Sequence, residues 1–117
     1  MRQILDHTIN PANEALYVDA VDEPGHGGAN HEYHISSPGF GYTIKFQNGP
    51  INEVGVNGVT NEALMAICVD RLRGFQNGPY ACRENALALT KLEEALHWLH
   101  SRTRARAARG VEGTHTV

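Results

Sequence analysis

The sequence predicts an α+β protein, an N-terminal antiparallel β-sheet followed by a C-terminal two-helix hairpin, and three observations lead to that class. Short segments rich in β-branched and aromatic residues alternate with Asn, Pro and Gly clusters through the first half of the chain. From Thr60 onward the apolar spacing changes from two to alternating three and four, the helical period. Gly78-Pro79 then divides the helical part, because Pro lacks the N–H that would continue a helix. A chain of 117 residues suits one modest folding unit, here a sheet part (1–59), a helical hairpin (60–109) and a tail (110–117).

In order along the chain, residues 4–9, 15–21, 31–36, 41–46 and 51–56 read as strands. Tyr42, Ile44 and Phe46 alternate with Thr43 and Lys45, which predicts one buried and one wet face. Gln47-Asn48-Gly49-Pro50 places an Asn-Gly pair between two strand-like segments, so a tight hairpin is expected there. The stretch Gly25-His26-Gly27-Gly28 is a loop that lacks the spacing and the lysine of a phosphate-binding loop. Thr60 is the expected N-cap of the first helix, with Glu62 in its first turn and Leu64, Ile67, Cys68, Leu72 and Phe75 on its apolar face. The second helix begins near Ala81 and carries Leu89, Leu92, Leu96 and Leu99 in one stripe that needs a partner. Gly110 is the expected stop, and the short polar tail is free either to be disordered or to dock on a neighbour. The pentapeptide FQNGP occurs at 46–50 and 75–79, in flanks too different for a repeat architecture.

Charge narrows the function. The formal net charge of −3 argues against a coat for nucleic-acid polymers or a membrane-surface binder. Positive charge is concentrated at the end of the second helix, where Arg102, Arg106 and Arg109 follow at i, i+4 and i+7. The planar guanidinium fork matches phosphate oxygens, so such a face suits a small phosphorylated ligand, although basic residues there also complement the helix dipole. Phe75 and Tyr80 lie at the hairpin turn, where an aromatic ring can stack on a base or simply pack in the core. Arg83 and Asn85, one turn into the second helix, can contact a base edge or ribose hydroxyls, or serve as caps.

Other chemistries find little support. His31-Glu32-Tyr33-His34 lacks the helical one-turn histidine spacing of a zinc motif, and on a strand His31 and His34 would face opposite ways, so no metal is expected. His97 and His100 flank Trp98 and are expected to border the core. Cys68 and Cys82 fit no metal or redox spacing and read as small reduced core residues. No serine or cysteine sits in a nucleophile motif and no carboxylate pair is placed by a recognisable spacing, so neither an enzyme nor a cofactor is expected. The N-terminal stretch, interrupted by Asp6 and Pro11, has no signal-peptide core, and no run is long enough to span a bilayer, so a cytosolic location is expected.

The strings FQNGPINEVGVNGVTNEALMAICVDRL, FQNGPYACRENALALTKLEEALHWL and SRTRARAARGVEGT resemble the phage Thoeris anti-defence signal-sponge family, whose helical hairpin is similar to that of phage anti-CBASS cyclic-nucleotide sponges. The likeness runs from about Asn30 to the end and is looser before it. It implies a sheet followed by two helices, assembled as a dimer or as a hexamer of dimers, in the host cytoplasm. It further implies non-enzymatic sequestration of glycocyclic ADP-ribose, with a second, separate site for cyclic oligonucleotides in some members. By motif position, Phe75 would stack on the adenine, Arg83 and Asn85 would contact the nucleotide, and Arg102 and Arg106 would hold the pyrophosphate, with Arg109 beside them. Three rivals remain, and the first two are a sponge whose main ligand is a cyclic di- or trinucleotide, and a phosphodiesterase or ADP-ribosyl hydrolase. A plain assembly module built on the leucine stripe is a third. At about 1.5 Å per residue, Asn85 and Arg102 lie roughly 25 Å apart along one helix. If both touch one small ligand, they must come from different chains.

Overall fold

A computed structural model describes residues 1–9 and 14–117; Pro11, which interrupts the N-terminal stretch, lies outside the described residues. The elements are β1 (Arg2–Ile4), β2 (Tyr17–Ala20), β3 (Glu32–Ser37), β4 (Phe40–Lys45), α1 (Ile51–Val54), α2 (Asn61–Gln76) and α3 (Arg83–Ala108). This is the α+β order expected, an antiparallel sheet and then a helical hairpin. The chain forms two compact units, one of residues 1–49 with 56–59 and one of residues 50–55 with 60–117.

The sheet unit is a meander in the order β1-β2-β3-β4, every pair antiparallel. Its tight hairpin joins β3 to β4, where Ser37 pairs with Phe40 across Pro38-Gly39. Proline presets the first central residue of such a turn, and Gly39, at φ 102°, supplies the positive φ that the second requires. Tyr33 and Phe46 pack edge to face, ring centroids 5.6 Å apart. The expected burial of Tyr42 is not met: its side chain is 65% exposed and lies against Phe40 at 5.5 Å.

The Asn48-Gly49 pair does not make the expected hairpin, and residues 51–54 are helix rather than strand. Pro50, fixed at φ −66°, leads directly into α1, and its carbonyl accepts from the N–H groups of Glu53 and Val54. A run this short fits both periods, so its apolar residues did not distinguish strand from helix. The intervening loop is closed by amide side chains: Asn48 N–H donates to Asn57 Oδ1 at 2.8 Å, and Asn57 Nδ2 returns a bond to the Asn48 carbonyl at 2.7 Å. Val59 then bridges Phe46 in parallel, its carbonyl accepting from Gln47 N–H.

In the helical unit, Thr60 Oγ1 accepts from Ala63 N–H at 3.1 Å, as a threonine N-cap should. The α2 face turned inward is Met65, Val69 and Leu72, with Val69 only 2% exposed. Ile67 and Cys68, expected in the core, lie on the exposed side. The segment from Ala63 to Val69 is apolar all round, so period alone could not choose the inward stripe. Cys82 is exposed as well and caps α3, its Sγ accepting from Asn85 N–H at 3.4 Å. The second FQNGP glutamine bridges the turn, Gln76 exchanging two 3.1 Å bonds with the Cys82 backbone. Leu89, Leu92, Leu96 and Leu99 are half-buried along the seam with α2, as the stripe predicts, and Arg73 reaches Glu93 across it at 2.8 Å. Arg109 ends α3 and Gly110 follows at φ 74°, the left-handed stop expected. Trp98, His97 and His100 do not border the core but are exposed.

Gly58 is the least replaceable position of the sheet unit. A Cβ there would stand 2.4 Å from the Phe46 carbonyl carbon, and that backbone is pinned by the 2.8 Å bond from Phe46 N–H to the His31 carbonyl. Gly58→Ala is therefore expected to destabilise the protein by about 2–3 kcal/mol. Thermal unfolding checks it, and a wild-type midpoint would contradict the packing described.

Candidate functional site

The predicted site residues lie in two groups, one at the turn between α2 and α3 and one at the far end of α3, whose 26 residues span about 39 Å. At the hairpin end, Phe75 is half-buried, with the Arg71 guanidinium 5.1 Å from its ring centroid. One face of that ring is therefore already engaged by a cation. Tyr80 beside it is 73% exposed. Arg83 is the first residue of α3 and exposed, at the end of the dipole where a cation gains no stability. Asn85 is half-buried on the stripe that continues through Leu89 and Leu92.

At the far end, Arg102, Arg106 and Arg109 come together as their spacing predicts. With Ala105 and Val117 they line one recess of about 230 Å³. Their states differ sharply. Arg102 is exposed, and its side chain has no hydrogen bond or ion pair among the described residues. Arg109 donates one bond, from Nη1 to the Val117 carbonyl at 2.9 Å. Arg106 is buried, 7% exposed, and donates four. Its Nε donates to Glu112 Oε2 at 3.0 Å, its Nη1 to the Thr116 carbonyl at 2.6 Å, and its Nη2 to the carbonyls of Val111 and Thr114 at 3.0 and 3.1 Å.

The tail, for which disorder or a neighbouring chain was expected, thus folds back on its own helix. Continuing the leucine rhythm of 89, 92, 96 and 99 leads to 103 and 106, so Arg106 occupies the next inward position. That continuation was the available signal in the sequence. Nothing in the sequence marked Glu112 or Asn52, which complete the arrangement. Asn52 N–H donates to the Gly113 carbonyl at 3.2 Å, and Asn52 Nδ2 to the Glu112 carbonyl at 3.3 Å.

Magnitude decides what the arginine end can do. Hydrogen bonds to charged groups contribute about 1.5–3 kcal/mol net each, so prising the tail from Arg106 forfeits roughly 6 kcal/mol or more. Arg102 offers its whole fork at no such cost. A recess of 230 Å³ is smaller than the roughly 300–1,000 Å³ of complete ligand sites. It has room for a small anion rather than for a whole nucleotide.

The sheet unit carries a second recess of about 320 Å³, lined among others by Asp22, His31, Lys45, Phe46, Asn48 and Asn57. Here the His31 backbone N–H, 2.9 Å from Asp22 Oδ2, holds the Asp22 carboxyl below its usual 3.8, with desolvation opposing and the Asn30 amide assisting. A depressed carboxylate stabilises the fold above its unfolded value, and that contribution is lost as pH falls through the folded value. Asp22→Asn should therefore lower the unfolding midpoint at pH 7 but make little difference well below pH 3.8. A midpoint difference that persists unchanged at the acidic end would contradict this origin.

Comparison with known proteins agrees with this architecture. Residues 42–104 match the family described as the Acb2/Tad1 hairpin domain, which places the chain in the class of sheet-plus-hairpin proteins built on that module. Over 106 residues, 90% of this chain and 74% of the relative, it is 50% identical to a protein of Bacillus phage SBSphiJ7 named Thoeris anti-defense 1. The chain belongs to the Thoeris anti-defence 1 family.

Proposed function

We propose that this is a phage protein that blocks Thoeris defence in the host cytoplasm by binding and sequestering a cyclic ADP-ribose-type signal, glycocyclic ADP-ribose. The observation that carries the reading is the recess at the end of α3, where three arginines converge on a space of phosphate size. Family membership supplies the biological setting. Arg102 takes the phosphate oxygens with its free fork, Arg109 adds a second guanidinium, and Arg106 contributes its charge and its one uncommitted N–H. Phe75 stacks on the adenine by the ring face opposite Arg71, while Asn85 and Arg83 read the nucleotide's polar edges. None of these roles requires a nucleophile or a proton shuttle; sequestration needs only tight burial. Nanomolar affinity corresponds to about −12 kcal/mol, which charge-assisted phosphate bonds plus a stacked base supply after ordering costs.

The helix ends stand too far apart for one nucleotide, so the site takes its base-binding half and its phosphate-binding half from two protomers. The exposed side chains of a single chain favour the homo-oligomer, a dimer or a hexamer of dimers. Phe40, Tyr42, Ile67, Leu87 and Trp98 all remain open to solvent, while among the described residues the buried apolar ones are Ala20, Pro50 and Val69. Such exposed apolar area marks association surfaces. The same phosphate chemistry accommodates a second reading, in which the main ligand is a cyclic di- or trinucleotide.

Calorimetry with the two glycocyclic ADP-ribose isomers and a panel of cyclic di- and trinucleotides tests the proposal. Stoichiometric binding of a glycocyclic isomer is expected, with Phe75→Ala, Asn85→Ala and Arg102→Ala each weakening it at least about tenfold while circular dichroism is unchanged. Binding of the oligonucleotides alone would favour the second reading. Binding of nothing in the panel would overturn both.

A further inference from the structure

The tail is built into the arginine recess, and this gives residues far from the phosphates a role in binding them. Residues 111–117 close a loop that begins with the left-handed Gly110 and is stitched by Thr114 N–H to the Val111 carbonyl at 3.2 Å and by Thr116 N–H to Thr114 Oγ1 at 3.2 Å. Val111 N–H returns to the Arg106 carbonyl at 3.0 Å, so backbone and side chain of Arg106 hold the same strap. The strap is fastened again at Gly113, where φ is 80° and a Cβ would come within 3.0 Å of the Asn52 side chain. It does not plug the recess. Val117 forms a wall of it, and the space remains open to Arg102 and Arg109.

We propose that Glu112 and Asn52 are positioning residues of the anion site: Glu112 fixes the Arg106 guanidinium, and Asn52 fixes the strap that carries Glu112. The strap stays in place when ligand binds, because the one uncommitted N–H of Arg106 can be reached without breaking any of its four bonds, whereas taking more of the fork would displace the tail. Its effect is pre-organisation. Arg106 and the strap are locked before ligand arrives, Arg109 is steadied through Val117, and the ordering cost of binding falls mainly on Arg102. Without the strap, three neighbouring guanidinium groups would repel one another and each would sample many rotamers. The proposal deepens the phosphate-binding reading above and rests on it.

The test compares Glu112→Ala, Glu112→Gln, Asn52→Ala and Gly113→Ala with wild type, titrating each with the glycocyclic ADP-ribose isomers and with inorganic pyrophosphate. The Arg106 Nε–H signal is followed by nuclear magnetic resonance. Glu112→Ala, Asn52→Ala and Gly113→Ala should bind about tenfold more weakly with helix content intact, whereas Glu112→Gln, which keeps the acceptor, should stay within about threefold of wild type. In the free protein, the Arg106 Nε–H should exchange slowly in wild type and rapidly in Gly113→Ala. Unchanged affinity in all variants would overturn the proposal. Tighter binding would overturn it too, and would make the strap an occluding element. If wild type binds no probe, the nucleotide reading fails and the exchange rates judge the strap alone: slow exchange lost in Gly113→Ala supports it, and exchange indifferent to Gly113→Ala sinks it.

Discussion

The position of Arg106 on the inward stripe of α3 is the constraint from which the arginine end follows. A helix that packs through residues 89, 92, 96 and 99 must present 103 and 106 to the same side, whatever their chemistry. A guanidinium there cannot remain buried without acceptors. The tail supplies them, three backbone carbonyls and one carboxylate, and in doing so acquires a fixed path. Once the tail is fixed, Arg102 and Arg109 are left on the flank of the stripe with their donors largely free. A single side chain at the end of an apolar seam thus divides three similar arginines into one structural and two accessible.

The same helix imposes the second constraint. Because α3 is continuous over 26 residues, the base-binding candidates at its start and the phosphate-binding candidates at its end cannot meet within one chain. Rigidity, which would be a handicap for a self-contained pocket, becomes an advantage if protomers pair. Each helix then delivers one end to each of two shared sites. The sparse core and the exposed Trp98, Leu87 and Tyr42 agree with a chain whose burial is completed by copies of itself.

How legible this was in the sequence varies by element, for physical reasons. Both long helices could be read with their caps, because Thr60, Gly110 and the leucine steps act locally and survive in any tertiary context. Strands β2 to β4 were also readable, but the first expected strand, 4–9, meets β1 only at Ile4, because β1 lies ahead of the apolar run and not along it. The failure at residues 48–54 came from Asn-Gly, a pair that tolerates positive φ in many settings. Here the Asn48–Asn57 bonds, nine residues apart in the chain, decided the loop. Cys82 was misread for a related reason, since an N-cap needs only an acceptor and sulfur is an uncommon one. The arginine cluster was legible as a cluster, but the unequal states of its members were not. Those depend on Glu112 and Asn52, which meet Arg106 only through the folded tail and carry no periodic signal.

The central claim is that the chain holds its ligand without changing it, and the most direct measurement is recovery of the ligand. Purified protein is incubated with excess glycocyclic ADP-ribose, freed of unbound material, heat-denatured, and the released nucleotide is identified by mass and chromatography. Sequestration predicts intact glycocyclic ADP-ribose in fixed ratio to protein, with no product accumulating in the unbound fraction. A linear or cleaved product that accumulates beyond the protein's own concentration would contradict the account.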